Sequence, residues 1–324
     1  MKADNNRRQV LLFCIAIVIS ISIFAWVEYE LAKNQSYKYT NEAKKVSIQH
    51  KQVMNPIFPR NPNMSIPISI GKNIIHIPIL MFHHVEDIPS NTSNQLEYRL
   101  SFPVDRFEQF LKYFKSKWIE TLTFWDIKEV LEGKRQLPAK AVMLTFDDWY
   151  EDQYINAFRL LKKYDEKWIF FIISKDPDKD RAYATWKQLK EMAEDWQEIW
   201  SHTVSHFDLR TLGDEKLEYE LVQSKKTIES RLWINVISFC YPSWKYDDRA
   251  IKIVSKNYLF ARTTKQWTDF YPKDRFIIPT VRMFPTTTFM TLGNLFWDHT
   301  QNNIIKTKKV LYGKTSKRLN TKSL

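Results

Sequence analysis

From about Ile74 onward, short apolar runs alternate with segments of helical spacing, and this alternation limits the fold more than any other feature of the chain. IIHIPILMF (74–82), AVMLTF (141–146), WIFFII (168–173), VISFC (236–240) and YLFAR (258–262) read as strands. Between them Val104, Phe107, Phe110, Leu111 and Phe114 recur at helical intervals. Ile155–Lys163, Trp186–Ala193, Leu217–Ile228 and Asp247–Ser255 read as further helices. Repeated strand–helix units imply a parallel sheet, open or closed into a barrel. In such folds chemistry collects at the carboxyl ends of the strands. Asp147 and Asp148 fall at such an end, as do His83 and Ser243.

The 324 residues allow one large domain with extensions. Val10–Val27 is uncharged, almost wholly apolar, and just long enough to span a bilayer. Lys2, Arg7 and Arg8 precede it, so residues 1–9 are expected to stay cytoplasmic and the remainder to lie outside the cell membrane. No A-x-A-like cleavage site follows, which favours a single-pass anchor at 10–27 over a cleaved signal. Residues 28–73 are polar and broken by Pro56, Pro59, Pro62 and Pro67, as in a stalk. A domain is expected over 74–300 and a basic tail over 301–324, which from Ile304 carries no Asp or Glu. Cys14 falls in the apolar segment and Cys240 in the domain, so no internal disulfide is expected. The net charge of +12 favours anionic partners, but no nucleic-acid motif is present. A monomer that meets the membrane through its N-terminal helix is expected.

His202 and His206 are four residues apart, in a helical turn or a tight loop. Two imidazoles and one carboxylate form a divalent-metal site with positions left for water and substrate. With Asp147 and Asp148 both present, one carboxylate can bind metal and the other can act as a base. Either motif alone is more often a surface feature.

Taken together, TFDD (145–148) and SHTVSH (201–206) resemble the TFDDG and SHTxxH motifs of the polysaccharide deacetylases with a NodB-type domain, carbohydrate esterase family 4. IPILMFHHVED (77–87) resembles the opening block of the subgroup that acts on poly-N-acetylglucosamine biofilm polymers. TWKQLKEM (185–192) and FCYPSWKYDDRAIKIV (239–254) match further blocks, so the resemblance spans Ile77 to Met283. It implies an α/β fold, a NodB-type distorted (β/α) barrel. It also implies a metal-dependent hydrolase that removes N-acetyl groups from a GlcNAc-containing polysaccharide at the cell surface. Carried over by position, Asp148, His202 and His206 hold one divalent ion, zinc before cobalt or nickel, and Asp147 is the general base. His83 is the general acid, and the Ser243 backbone N–H an oxyanion donor where the family commonly has Tyr. His299, in a poor match to the C-terminal LxH motif, is the rival acid, and His50 and His76 receive no role. Peptidoglycan deacetylation, xylan O-deacetylation and a non-catalytic wall-binding module are the alternatives.

Glycine numbers only 5, where average usage of about 7% would give roughly 23. Tryptophan numbers 12. Trp149, Trp200 and Trp244 stand where the family motifs carry glycine, and Trp118, Trp196, Trp233 and Trp267 fall at expected turns. Tryptophan is a poor residue for a turn that needs positive φ. These positions are therefore expected to correspond to UGA codons meaning glycine, and UGG there would contradict that.

Overall fold

The computed structural model describes residues 74–296 except Trp196 and Trp244. The expected anchor, stalk and basic tail lie outside them, as does His299. No helix among the described residues is long and apolar enough to cross a membrane.

Seven parallel strands close into a barrel: β1 (Ile79–Phe82), β2 (Ala141–Asp148), β3 (Ile169–Ile172), β4 (Glu198–Ser201), β5 (Ser238–Cys240), β6 (Phe260–Gln266) and β7 (Ile278–Arg282). The order around the barrel is β1–β7–β6–β5–β4–β3–β2, and pairing of Ile79–Phe82 with Met143–Phe146 closes it. Every residue of β2 is buried, as expected for a strand with barrel interior on one side and helices on the other. Six of the helices are α1 (Val104–Ser116), α2 (Phe124–Leu131), α3 (Arg159–Tyr164), α4 (Trp186–Glu194), α5 (Ser224–Leu232) and α6 (Asp248–Asn257), with shorter ones at Gln95–Leu100 and Asp214–Glu218. Phe107, Phe110, Leu111 and Phe114 form the buried face of α1. Thr123 with Asp126, and Thr185 with Gln188, close capping boxes that start α2 and α4. Asp247 caps α6 through the Ala250 N–H.

The structure adjusts several sequence expectations. IIHIPILMF is not one strand: Ile75–His76 pairs antiparallel with Asp269–Phe270, and only Ile79–Phe82 joins the barrel. Pro78, without an N–H, lies between the two pieces. The helix expected over 155–163 is a π-helical segment Gln153–Phe158 running into α3. That expected over 217–228 is likewise split, with a π turn at Tyr219–Gln223. Trp200 sits inside β4 rather than at a turn.

Glu198 opens β4 and accepts hydrogen bonds from the Phe124 and Trp125 N–H groups at the start of α2, both at 2.9 Å, and from Trp200 Nε1 at 2.7 Å. Burial pushes its carboxyl up to about 7, although those donors pull the other way. An acid raised on folding stabilises the protein fully below its unfolded value and loses that contribution as pH rises through the folded one. Thermal stability should therefore fall as pH rises from about 4.5 to about 7 and level off above that. Glu198→Gln should be less stable overall, because its amide cannot accept all three bonds, yet should lack that slope in melting curves.

Candidate active site

The carboxyl ends of the strands bring the expected residues together. Asp147 and Asp148 end β2, His83 follows β1, His202 follows β4, and the Ser243 loop follows β5. The His202–His206 segment is a loop. The His202 N–H donates to the Ile172 carbonyl at 2.9 Å, and the Ser205 N–H to Glu220 at 2.7 Å. Backbone strain concentrates here: Asp148, Trp149, Thr203, His206 and Ser243 all have positive φ, between 51° and 76°.

Asp148 Oδ1 lies 3.3 Å from His202 Nε2 and 3.6 Å from His206 Nε2. It is buried and has no hydrogen-bond partner. An orphaned carboxylate oxygen facing two imidazole nitrogens suits a cation, so the residues fit the divalent ion that the sequence implies. The donor set of one oxygen and two nitrogens suits zinc. His202 Nδ1 lies 2.7 Å from the Cys240 carbonyl, which orients Nε2 toward Asp148. Burial first, then the neighbouring His202, lowers His206 to about 4, with Lys245 and Lys175 adding to the effect. Burial alone would raise Asp148, but His202, His83 and His206 outweigh it and hold the carboxyl below the usual range.

Asp147 is nearly fully buried and pairs with the guanidinium of Arg262, which reaches across the barrel from β6. Burial pushes Arg262 down to about 9, which leaves it charged at neutral pH. Its guanidinium also lies over the Phe171 ring, 4.6 Å from the centroid. The Cys240 thiol approaches Asp147 Oδ2 at 3.8 Å. Gln153 ties two strand ends together, donating to the carbonyls of His83 (2.5 Å) and Asp147 (2.6 Å). Tyr150 donates to Asp148 Oδ2 at 3.2 Å and stacks on His84 with 3.8 Å between centroids. The sequence assigns no role to Arg262, Gln153, Cys240, Tyr150 or His84; only Tyr150 is close in sequence to its partner, two residues after Asp148, and the others meet theirs only in the fold.

His83 is half-buried, and loss of hydration lowers its imidazole to about 3 against the opposing pull of Asp148. It is therefore neutral at rest. Ser243 is exposed, and no hydrogen bond from its N–H is found among the described residues.

The tryptophans separate into two kinds. Trp118, Trp149 and Trp233 have φ of 55°, 76° and 58°, the left-handed region where glycine is at ease. Trp118 and Trp233 are 73% and 87% exposed. Trp149 is fully buried, with its Nε1 donating to the Ala184 carbonyl at 3.0 Å. Left-handed backbone costs an L-residue about 1–2 kcal/mol, part of which glycine returns through greater freedom of the unfolded chain. Replacing both Trp118 and Trp233 by glycine should stabilise the domain by about 1–2 kcal/mol, or raise Tm by roughly 2–8 °C. An unchanged or lower Tm would contradict the strain argument. At Trp149 the same change would also empty a buried indole volume, so no gain is expected there.

Residues 134–259 match the protein family described as polysaccharide deacetylase. The YxkH protein of Bacillus subtilis (strain 168) is 29% identical over 210 residues, covering 64% of this chain and 72% of that protein. The poly-beta-1,6-N-acetyl-D-glucosamine N-deacetylase of Escherichia coli (strain K12) is 27% identical over 147 residues, covering 40% of this chain and only 21% of that protein. Among solved structures, the Streptococcus pyogenes deacetylase PplD in complex with acetate superposes with a TM-score of 0.64 at 28% identity. It covers 69% of this chain and 99% of that one.

Proposed function

Because this chain belongs to the polysaccharide deacetylase family and is a hydrolase of that family, we propose that it removes N-acetyl groups from a GlcNAc-containing polysaccharide at the outer face of the cell membrane. One observation carries the reading: the partnerless Asp148 Oδ1 between His202 and His206, with Asp147 beside it on the same strand end. Asp148, His202 and His206 would hold one divalent ion. When bound, the ion supplies a Lewis acid for the acetyl carbonyl and lowers the pKa of water.

The remaining work falls to the protein. Asp147, fixed by Arg262, takes the proton of the attacking water. The Ser243 N–H faces the developing oxyanion. His83, neutral at rest, can donate to the leaving amine only a proton gained within the cycle, and Asp147 has just acquired one. Acetate and a glucosamine unit result. The Escherichia coli relative's named substrate and the acetate in the PplD structure support this substrate class and product.

The test is incubation with N-acetylglucosamine oligomers of β-1,6 and β-1,4 linkage and with acetylated xylan, followed by mass spectrometry. Loss of acetyl from either amino sugar supports the reading. Loss from xylan alone would replace it with an esterase. No loss from any would favour a non-catalytic module.

The apolar run at 10–27 would tether the domain near emerging polymer. Full-length protein should sediment with membranes and resist high salt, since apolar burial rather than charge holds a spanning helix. Deleting residues 1–27 should release an active soluble form. Release of the full chain by salt alone, or a mature N-terminus beyond Val27, would contradict the anchor.

A further inference from the structure

Immediately after His206, the Phe207 ring is 45% exposed at the mouth of the barrel. Lys175 Nζ lies 5.6 Å and Lys216 Nζ 5.7 Å from its centroid. Lys175 belongs to the loop after β3. Its N–H donates to the Val204 carbonyl at 3.3 Å, and its Nζ to the Ser205 carbonyl at 3.4 Å, so it lies against the histidine loop. Lys245 belongs to the loop after β5, and its carbonyl accepts the Leu209 N–H at 3.1 Å. All three lysines are exposed.

The nearby carboxylates compensate this charge only in part, since Asp176 faces Lys179 as well as Lys175, and Asp208 faces Arg210 as well as Lys245. Asp208 is engaged by Arg210 at 2.7 Å and Asp176 by Lys179 at 3.4 Å. Glu220 lies buried behind Lys216, 3.7 Å away. No carboxylate lies within 4.0 Å of Lys175 or Lys245 among the described residues. An aromatic ring flanked by two lysines, with Lys245 on the adjoining loop and His206 one residue away, offers a platform for a sugar ring and a counter-charge for an anion on it.

We propose that Phe207, Lys175, Lys216 and Lys245 form a subsite for an anionic sugar unit, one that carries a carboxylate or phosphate next to the N-acetyl unit being cleaved. This rests on the deacetylase reading above and narrows its substrate class. Each solvent-exposed charge pair is worth little, so three acting together should give about tenfold in kcat/KM at low salt. Screening should bring the preference toward unity near 1 M salt, where the Debye length is about 3 Å.

The test compares kcat/KM of the full chain on three oligomers of equal length: neutral N-acetylglucosamine, the same with lactyl carboxylates on alternate sugars, and the same with phosphates. A preference for both anionic oligomers that salt erases supports the subsite, and a preference for one alone identifies which anion it serves. Lys175→Gln with Lys216→Gln should then reduce turnover of the anionic oligomers several-fold more than turnover of the neutral one. Equal kcat/KM on all three, with the neutral oligomer cleaved, overturns the subsite and leaves the deacetylase standing. If nothing is cleaved the deacetylase reading fails. Equilibrium binding of the three oligomers to Asp147→Asn then decides the subsite separately: equal affinities overturn it, and tighter anionic binding supports it.

Discussion

Replacing His206 by alanine should remove bound metal and activity together. The cluster offers three ligand groups, and His206 is the one open to solvent, with a side chain 34% exposed. Without it, only Asp148 and His202 remain, too few to hold a labile divalent ion. Removing an outer-shell partner already costs 10–100-fold in metal affinity, and losing a direct ligand should cost more. The fold should survive, because His206 contributes no core packing and alanine meets the same left-handed backbone, φ 57°, at a penalty of about 1–2 kcal/mol. Metal analysis of dialysed protein alongside turnover tests this. Stoichiometric metal with full turnover in the variant would move the site elsewhere.

Asp147→Asn should behave differently. Metal should stay bound, since Asp148, His202 and His206 are intact, while turnover falls by about 10²–10⁴, the usual scale of a lost general base. A second effect should accompany it. Arg262 is fully buried and its guanidinium is paired with Asp147, so the amide would strand a buried positive charge. Breaking a buried pair from one side costs about 3–5 kcal/mol, and thermal melting should show it. Near-normal turnover would assign the base to another group. Slow turnover with unchanged stability would mean that Arg262 does not depend on Asp147 for its neutralisation.

The parts of the site legible in the sequence are those carried by contiguous residues. Asp147 with Asp148 ends an apolar strand, and His202 with His206 shares one loop, so each pair announces itself locally. Arg262 looks like any strand residue in FARTTKQ. Its partnership with Asp147 exists only because seven strands close and point two distant side chains into one interior. Gln153 is illegible for the same reason, as its two acceptors belong to different strands. In the fold, β2 and β3 were plain from unbroken apolar runs. β4 was not, because it is four residues long and begins with Glu198, whose carboxylate is stabilised by the N-terminus of α2 rather than by water. β7 was missed because Pro279, Thr280 and Arg282 interrupt its apolar pattern. The glycine-poor turns were visible as an anomaly of composition, but only the backbone separates Trp118, Trp149 and Trp233, at positive φ, from Trp200, in a strand.

On the proposed function, Asp148, His202 and His206 hold a metal that this chain needs to hydrolyse an N-acetyl group. The direct measurement is mass spectrometry of N-acetylglucosamine oligomers after incubation with the purified protein as isolated, after treatment with a chelator, and after zinc is returned. Acetyl loss in the first, none in the second and recovery in the third is the predicted result. Undiminished acetyl loss from protein shown to be metal-free would contradict it.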